Sequence, residues 1–167
     1  MKSIKTIMED YTGKRHDGYF DCTGNELESL KGAPQHVGGA FYCNNNNLES
    51  LKDAPQYVGG HFDCSHNGLE SLEGAPKSVG GHFDCSHNNL ESLEGAPQYV
   101  GGAFGDFYCN DNNLKSLEGL PQYIGGEFYC DKALEQGENL YIIANALLNG
   151  RKDNMLGMLV TITKYFT

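Results

Sequence analysis

One word, F-x-C-x-x-N-x-L-x-x-L, recurs along this chain with a spacing of 21 residues. Phe20, Phe41, Phe62 and Phe83 open four units in strict register, and after a three-residue insertion Phe107 and Phe128 open two more. A fixed period of about 20–29 residues marks a solenoid, in which each unit buries its apolar face only against its neighbours. With 167 residues, the chain reads as one elongated stack rather than several domains. The 22 glycines are high for a globular chain, but a Gly-Gly pair in each unit accounts for many of them.

The third unit, Phe62 to His82, shows the logic of the columns. Phe62 and Cys64 alternate with Asp63 and Ser65, the period of a short strand, so Phe and Cys face the core while Asp and Ser face out. Leu69 and Leu72 return the chain inward, and Pro76 and Val79 hold the far side. Asn25, Asn46, Asn67, Asn88 and Asn112 form a column at the turn. An Asn amide carries both donor and acceptor, so one per unit can pair its own turn with the next. Pro34, Pro55, Pro76, Pro97 and Pro121 fix an extended segment. The Gly pairs allow positive φ or close packing before each strand.

The six cysteines, Cys22, Cys43, Cys64, Cys85, Cys109 and Cys130, all stand two residues after the repeat Phe. Neighbours in that column would lie roughly 4.8 Å apart. That distance would also admit a disulfide, but a constant inward column predicts a ladder of buried free thiols, suited to a reducing compartment.

At these residues a resemblance becomes specific. The run from Phe62 to Leu72 (FDCSHNGLESL) resembles the leucine-rich repeat signature L-x-L-x-x-N-x-L-x-x-L, with Phe and Cys in two apolar slots. The short unit is similar to the 20–21-residue bacterial type found in secreted effectors of enteric pathogens. The wording P-x-x-V-G-G-x-F-x-C is closer to leucine-rich repeat proteins predicted in bacteriophage genomes. The match covers about residues 20–130. Gly-Gly stands where the family has an apolar residue before the strand, and Ala133 replaces the ladder Asn, which ends the regular stack near Asp131. The resemblance implies an α/β solenoid: a parallel sheet on the concave face, mostly turns on the convex side, and helical caps at both ends.

The ends fit that expectation. Ile4, Ile7, Met8 and Tyr11 fall at helical spacing between Ser3 and Gly13, so residues 1–19 read as an N-terminal cap. Residues 20–131 are the solenoid. In residues 132–167, Leu140, Ile143, Ala144, Leu147 and Leu148 form a second helical stripe, and residues 153–166 read as helix or strand. Both ends are expected to cap the stack; the alternative is that the C-terminal segment docks a partner or makes a self-assembly joint.

Outward positions follow from the alternation. One column holds Tyr19, Ala40, His61, His82, Asp106 and Glu127; the next holds Asp21, Tyr42, Asp63, Asp84, Tyr108 and Tyr129. These positions vary while the core columns barely do. The resemblance implies that ligands, nearly always proteins, bind this face. Tyrosines bury apolar area while offering a hydroxyl, and carboxylates among them favour a partner with a basic surface. Tyr42, His61, Asp63, His82, Asp84, Asp106, Tyr108 and Tyr129 are therefore the expected partner-binding residues. The duplicated H-F-D-C-S-H of units three and four could offer two His and a carboxylate to zinc, the basis of a metal-binding alternative. One copying event explains that pairing equally, so no metal or other cofactor is expected. Because His titrates near neutrality, a pH-sensitive interface is a further reading. The insertion at Phe104-Gly105-Asp106 is expected either to bulge and re-aim Asp106 and Tyr108 or to be a tolerated surface addition.

Charge narrows the partners. A formal net charge of −10 argues against direct nucleic-acid binding, which needs clustered Lys and Arg. No apolar run approaches a membrane span, and no secretory segment is seen, so a cytoplasmic protein is expected. No catalytic motif occurs and every cysteine belongs to the core column, so the chain reads as a non-catalytic protein-binding module. The phage-like wording implies a host-directed role in a bacterial or phage-infected cell, such as inhibition of a defence or nucleic-acid enzyme.

Overall fold

A computed structural model describes residues 11, 13–102 and 104–130. Twelve strands of two residues each build it: β1 Arg15–His16, β2 Phe20–Asp21, β3 His36–Val37, β4 Phe41–Tyr42, β5 Tyr57–Val58, β6 Phe62–Asp63, β7 Ser78–Val79, β8 Phe83–Asp84, β9 Tyr99–Val100, β10 Phe107–Tyr108, β11 Tyr123–Ile124 and β12 Phe128–Tyr129. Odd-numbered strands form one six-stranded parallel sheet and even-numbered strands form another. Each coil thus contributes one strand to a Val sheet, turns a corner, and contributes one strand to a Phe sheet. The described residues are a β-solenoid.

The side opposite the Phe strands is turns with one two-residue strand per coil: the segment after each Pro pairs with its copy in the next coil, as Val37 does with Val58 and Val79 with Val100. β1, inside the segment read as the N-terminal cap, pairs with β3. Among the described residues there is no helix, so their class is all-β rather than α/β. The expected helical stripes at residues 4–8 and 140–148 lie outside the described residues. Tyr11, half-buried, packs edge-on against Phe20 and His16, with ring centroids 5.3 and 5.2 Å away.

Identical residues stack on one another. Phe20, Phe41, Phe62, Phe83, Phe107 and Phe128 are register partners in succession, and their rings stack with centroids 5.3–5.8 Å apart. Phe41, Phe62, Phe83 and Phe107 are fully buried, as are the paired leucines Leu48 and Leu51, Leu69 and Leu72, and Leu90 and Leu93. Each such side chain contributes about 1.5–3 kcal/mol by leaving water, and all join one continuous core. The three-residue insertion leaves this register intact, since Phe107 still pairs with Phe83 and Val100 with Val79. The extra residues are absorbed at the corner before β10, so no bulge shifts the strand.

The cysteine column is buried and unbridged, with Cys130 half-buried at its end. Burial pushes the Cys22 thiol up to about 12 and those of Cys43, Cys64 and Cys85 well above the ordinary range. The thiols of Cys22, Cys64 and Cys85 donate to backbone carbonyls of the following coil, at 3.2–3.3 Å.

Asn46 shows how the turn is held. Its Nδ2 donates to Cys22 O, Cys43 O and Asn44 O, and its Oδ1 accepts from the N–H groups of Asn25 and Leu27. Asn67, Asn88 and Asn112 repeat the pattern one coil at a time. Just before each ladder Asn the backbone is left-handed: Gly24, Asn45, His66, His87 and Asp111 have φ of 65°, 55°, 51°, 53° and 55°. Gly, Asn, Asp and His are the residues that tolerate this region best.

The Gly pairs serve close packing instead. Of the glycines between the Val and Phe strands, Gly102 alone has positive φ. A Cβ on Gly60 would sit 2.8 Å from the Ala40 nitrogen, and one on Gly80 would fall well inside 3.0 Å of the Gly59 oxygen. Backbone bonds run around this corner from coil to coil, with Gly39 N donating to Gly18 O, Gly60 N to Gly39 O and Gly81 N to Gly60 O.

Candidate functional site

The outward grid of the Phe sheet follows from strand alternation. Asp21, Tyr42, Asp63, Asp84, Tyr108 and Tyr129 are register partners in one column, and the residues two positions earlier lie beside them on the same face. Among the described positions of these two columns there are five carboxylates and no Lys or Arg. The eight residues expected to bind a partner all lie on this face, but the structure gives them different tasks.

Asp63 and Asp84 sit opposite each other, half-buried, at the centre. Each turns one oxygen back into its own strand end: Asp63 Oδ1 accepts from Ser65 N at 2.9 Å and Ser65 Oγ at 2.7 Å, and Asp84 Oδ1 accepts from Ser86 N at 2.9 Å and Ser86 Oγ at 2.6 Å. Burial raises the Asp63 carboxyl above its ordinary range, the Ser65 bonds oppose the rise, and the neighbouring Asp84 charge adds to it. None of the ion pairs among the described residues involves either carboxylate. Tyr42 flanks the pair on one side and Tyr108 on the other, as their register partners.

His61, His82, Asp106, Tyr108 and Tyr129 are joined in one bonded run. His61 Nδ1 accepts the backbone N–H of His82 at 2.9 Å, and His82 Nδ1 accepts the backbone N–H of Asp106 at 2.9 Å. Asp106 Oδ1 accepts the backbone N–H of Glu127 at 2.7 Å, and its Oδ2 accepts the Tyr108 hydroxyl at 2.9 Å. The Tyr129 hydroxyl donates to Glu127 Oε2. His61 and Asp106 reach over the next coil's corner where glycine leaves them room: a Cβ on Gly81 would meet His61 Nδ1 at 2.5 Å, and one on Gly126 would overlap Asp106 Oδ1. The Tyr108 and Tyr129 rings stack at 4.6 Å and 3°. Burial, then the bond and charge of Asp106, push the Tyr108 hydroxyl up to about 12; the Glu127 bond chiefly raises that of Tyr129.

The histidines stack without assembling a ligand set. His61 and His82 have ring centroids 4.5 Å apart, and His66 and His87 4.1 Å. His66 and His87 belong to the left-handed turn, a separate column from His61 and His82. Among the described residues no group of three or more His, Cys, Asp or Glu is placed to hold a metal ion. The described residues also include no helix long and apolar enough to cross a membrane.

Sequence reasoning missed three features. Glu127 anchors Tyr129, which the i and i+2 spacing shared with Asp106 and Tyr108 would have revealed. The outer face of the Val sheet carries a second aromatic column, in which His36 stacks on Tyr57 and Tyr99 on Tyr123, both at 4.4 Å. Its signal was the repeated P-Q-Y-V, read only for its Val. Phe104, in the insertion, is 83% exposed.

No protein-family model, curated protein or solved structure matches this chain.

Proposed function

We propose that this chain is a leucine-rich repeat protein that acts as a non-catalytic binding module, gripping a partner protein with a basic surface across the outer face of its Phe sheet. The Tyr108–Tyr129 stack carries the reading. Two tyrosine rings are held parallel, each hydroxyl tied to a carboxylate, beside the carboxylates Asp63 and Asp84. Rigid tyrosines lose little entropy on binding and offer apolar area, and the surrounding negative charge steers and orders a cationic surface. The repeat word and the Asn ladder support the leucine-rich repeat assignment. The buried cysteines, with pKa values pushed up, support a non-catalytic reading, because the reactive species is the thiolate. The resemblance extends the proposal to a host-directed inhibitor of a basic, nucleic-acid-binding protein.

The test is affinity capture from bacterial lysate with the wild type and with Tyr42→Ala/Asp63→Ala/Asp84→Ala/Tyr108→Ala, followed by direct titration of the purified partner. Capture by the wild type alone, with affinity falling about tenfold or more as salt rises from dilute to physiological ionic strength, supports the reading. Equal capture by both proteins moves the site off this face.

A further inference from the structure

We infer that His82 and Asp106 form a proton-operated latch that sets how Tyr108 is held on the Phe-sheet face. One nitrogen is the pivot. His82 Nδ1 accepts the Asp106 backbone N–H at 2.9 Å, and the same atom stands 3.3 Å from Asp106 Oδ2. Without a proton, Nδ1 can only accept, and it serves the backbone. With a proton it can only donate, and the carboxylate already beside it becomes its partner. Protonation thus exchanges a backbone bond for an ion pair. It frees the Asp106 N–H and competes with the Tyr108 hydroxyl for Oδ2, to which that hydroxyl donates at 2.9 Å.

His61 makes the response directional. Its Nδ1 also accepts a backbone N–H, that of His82, but none of the described ion pairs gives it a carboxylate. Protonating it only loses a bond. With the rings 4.5 Å apart, a second imidazolium would also repel the first. Burial, then His82, lower the pKa of His61. Of the two rings, His82 alone has a carboxylate at hand to pair with an added proton. The charged and titratable groups on the surrounding face are Asp63 and Asp84 on the strands of the two histidines, Asp106 and Tyr108 on the next coil, Glu127 beyond them, and Tyr42 on the coil before. The carboxylates all favour a single positive charge at this place.

The latch is independent of the proposed binding role and is tested on the free protein. Long-range proton–nitrogen NMR of the full chain at pH 8 is expected to show both imidazoles with the proton on Nε2. The full chain is then titrated from pH 8 to pH 5. Over the same titration the Tyr108 ring resonances should move, and the protection factor of the Asp106 amide should fall on the order of tenfold. His82→Asn keeps an acceptor, as Asp106 Oδ1 demonstrates toward Glu127 N, but cannot take the proton; in it both responses should vanish. A proton on His82 Nδ1 at pH 8 overturns the latch in the wild type alone, without any variant. So does a Tyr108 response that persists unchanged in His82→Asn.

Discussion

Replacing Asn67 by alanine isolates what one rung of the Asn ladder contributes. Its Oδ1 accepts the Leu48 N–H at 3.0 Å, and its Nδ2 donates to Cys43 O, Cys64 O and Ser65 O at 3.1, 3.0 and 3.1 Å. The carbonyls each keep another donor, since Asn46 also bonds Cys43 O, Asn88 also bonds Cys64 O, and Asn45 N bonds Ser65 O. The Leu48 N–H would be stranded beside the core. An orphaned buried donor costs about 2 kcal/mol, and three weakened carbonyls add roughly 0.5 kcal/mol each, so Asn67→Ala should destabilise by about 3–4 kcal/mol. Asn25 provides the internal control: its Nδ2 bonds Thr23 O in its own turn, at an exposed position. Its replacement should cost at most about 1 kcal/mol. Urea unfolding read by far-UV circular dichroism, with unchanged slope, measures both. Equal losses at the two positions, or a loss under 1 kcal/mol for Asn67→Ala, would refute the ladder as the bond that joins coils.

Three further outcomes follow from the packing. Gly80→Ala places a Cβ against the Gly59 carbonyl and should cost several kcal/mol or prevent folding, whereas Gly68→Ala, with its nearest neighbour at 3.6 Å, should fold normally; thermal melts of the pair decide. Native-state alkylation followed by mass spectrometry should label the half-buried Cys130 before any of the other five cysteines, and all six only in denaturant; early labelling of Cys64 would contradict the buried ladder. The lowered pKa of His61 means that the folded chain binds its proton less readily than the unfolded chain does. Stability from this residue is therefore complete above pH 6.5 and declines as the pH drops below that value. The urea midpoint should fall between pH 7.5 and pH 5.5, and His61→Asn should lessen the fall.

The Phe, Cys, Leu and Asn columns were legible because each repeats one residue type at one spacing, and a stacked fold turns that identity into a spatial line. The Val sheet was harder to see. Its strands are two residues long and follow a proline, so Tyr57-Val58 or Tyr99-Val100 offers one alternation, too little for a periodic signal. Alternation placed the candidate binding residues on one face, but it could not say which way each side chain turns. Asp63 and Asp84 bend back to Ser65 and Ser86, while His61, His82 and Asp106 reach forward to the next coil. That direction depends on the missing Cβ of Gly81 and Gly126, a relation between residues 20 positions apart. The left-handed column of Asn45, His66, His87 and Asp111 went unread because its residues share a backbone tolerance rather than a side-chain chemistry.

The corner that absorbs the extra residues before β10 has a practical corollary. Between Gly101 and Asp106 the chain lengthens while both sheets keep their pairing, so the solenoid carries a port where sequence can be added without cost to alignment. A loop of foreign sequence spliced there would be displayed beside the Tyr108 stack, next to the already protruding Phe104. The matching corners at Gly38-Gly39, Gly59-Gly60 and Gly80-Gly81 are packed backbone against backbone, so among these corners the port belongs to the coil that its own sequence has already lengthened.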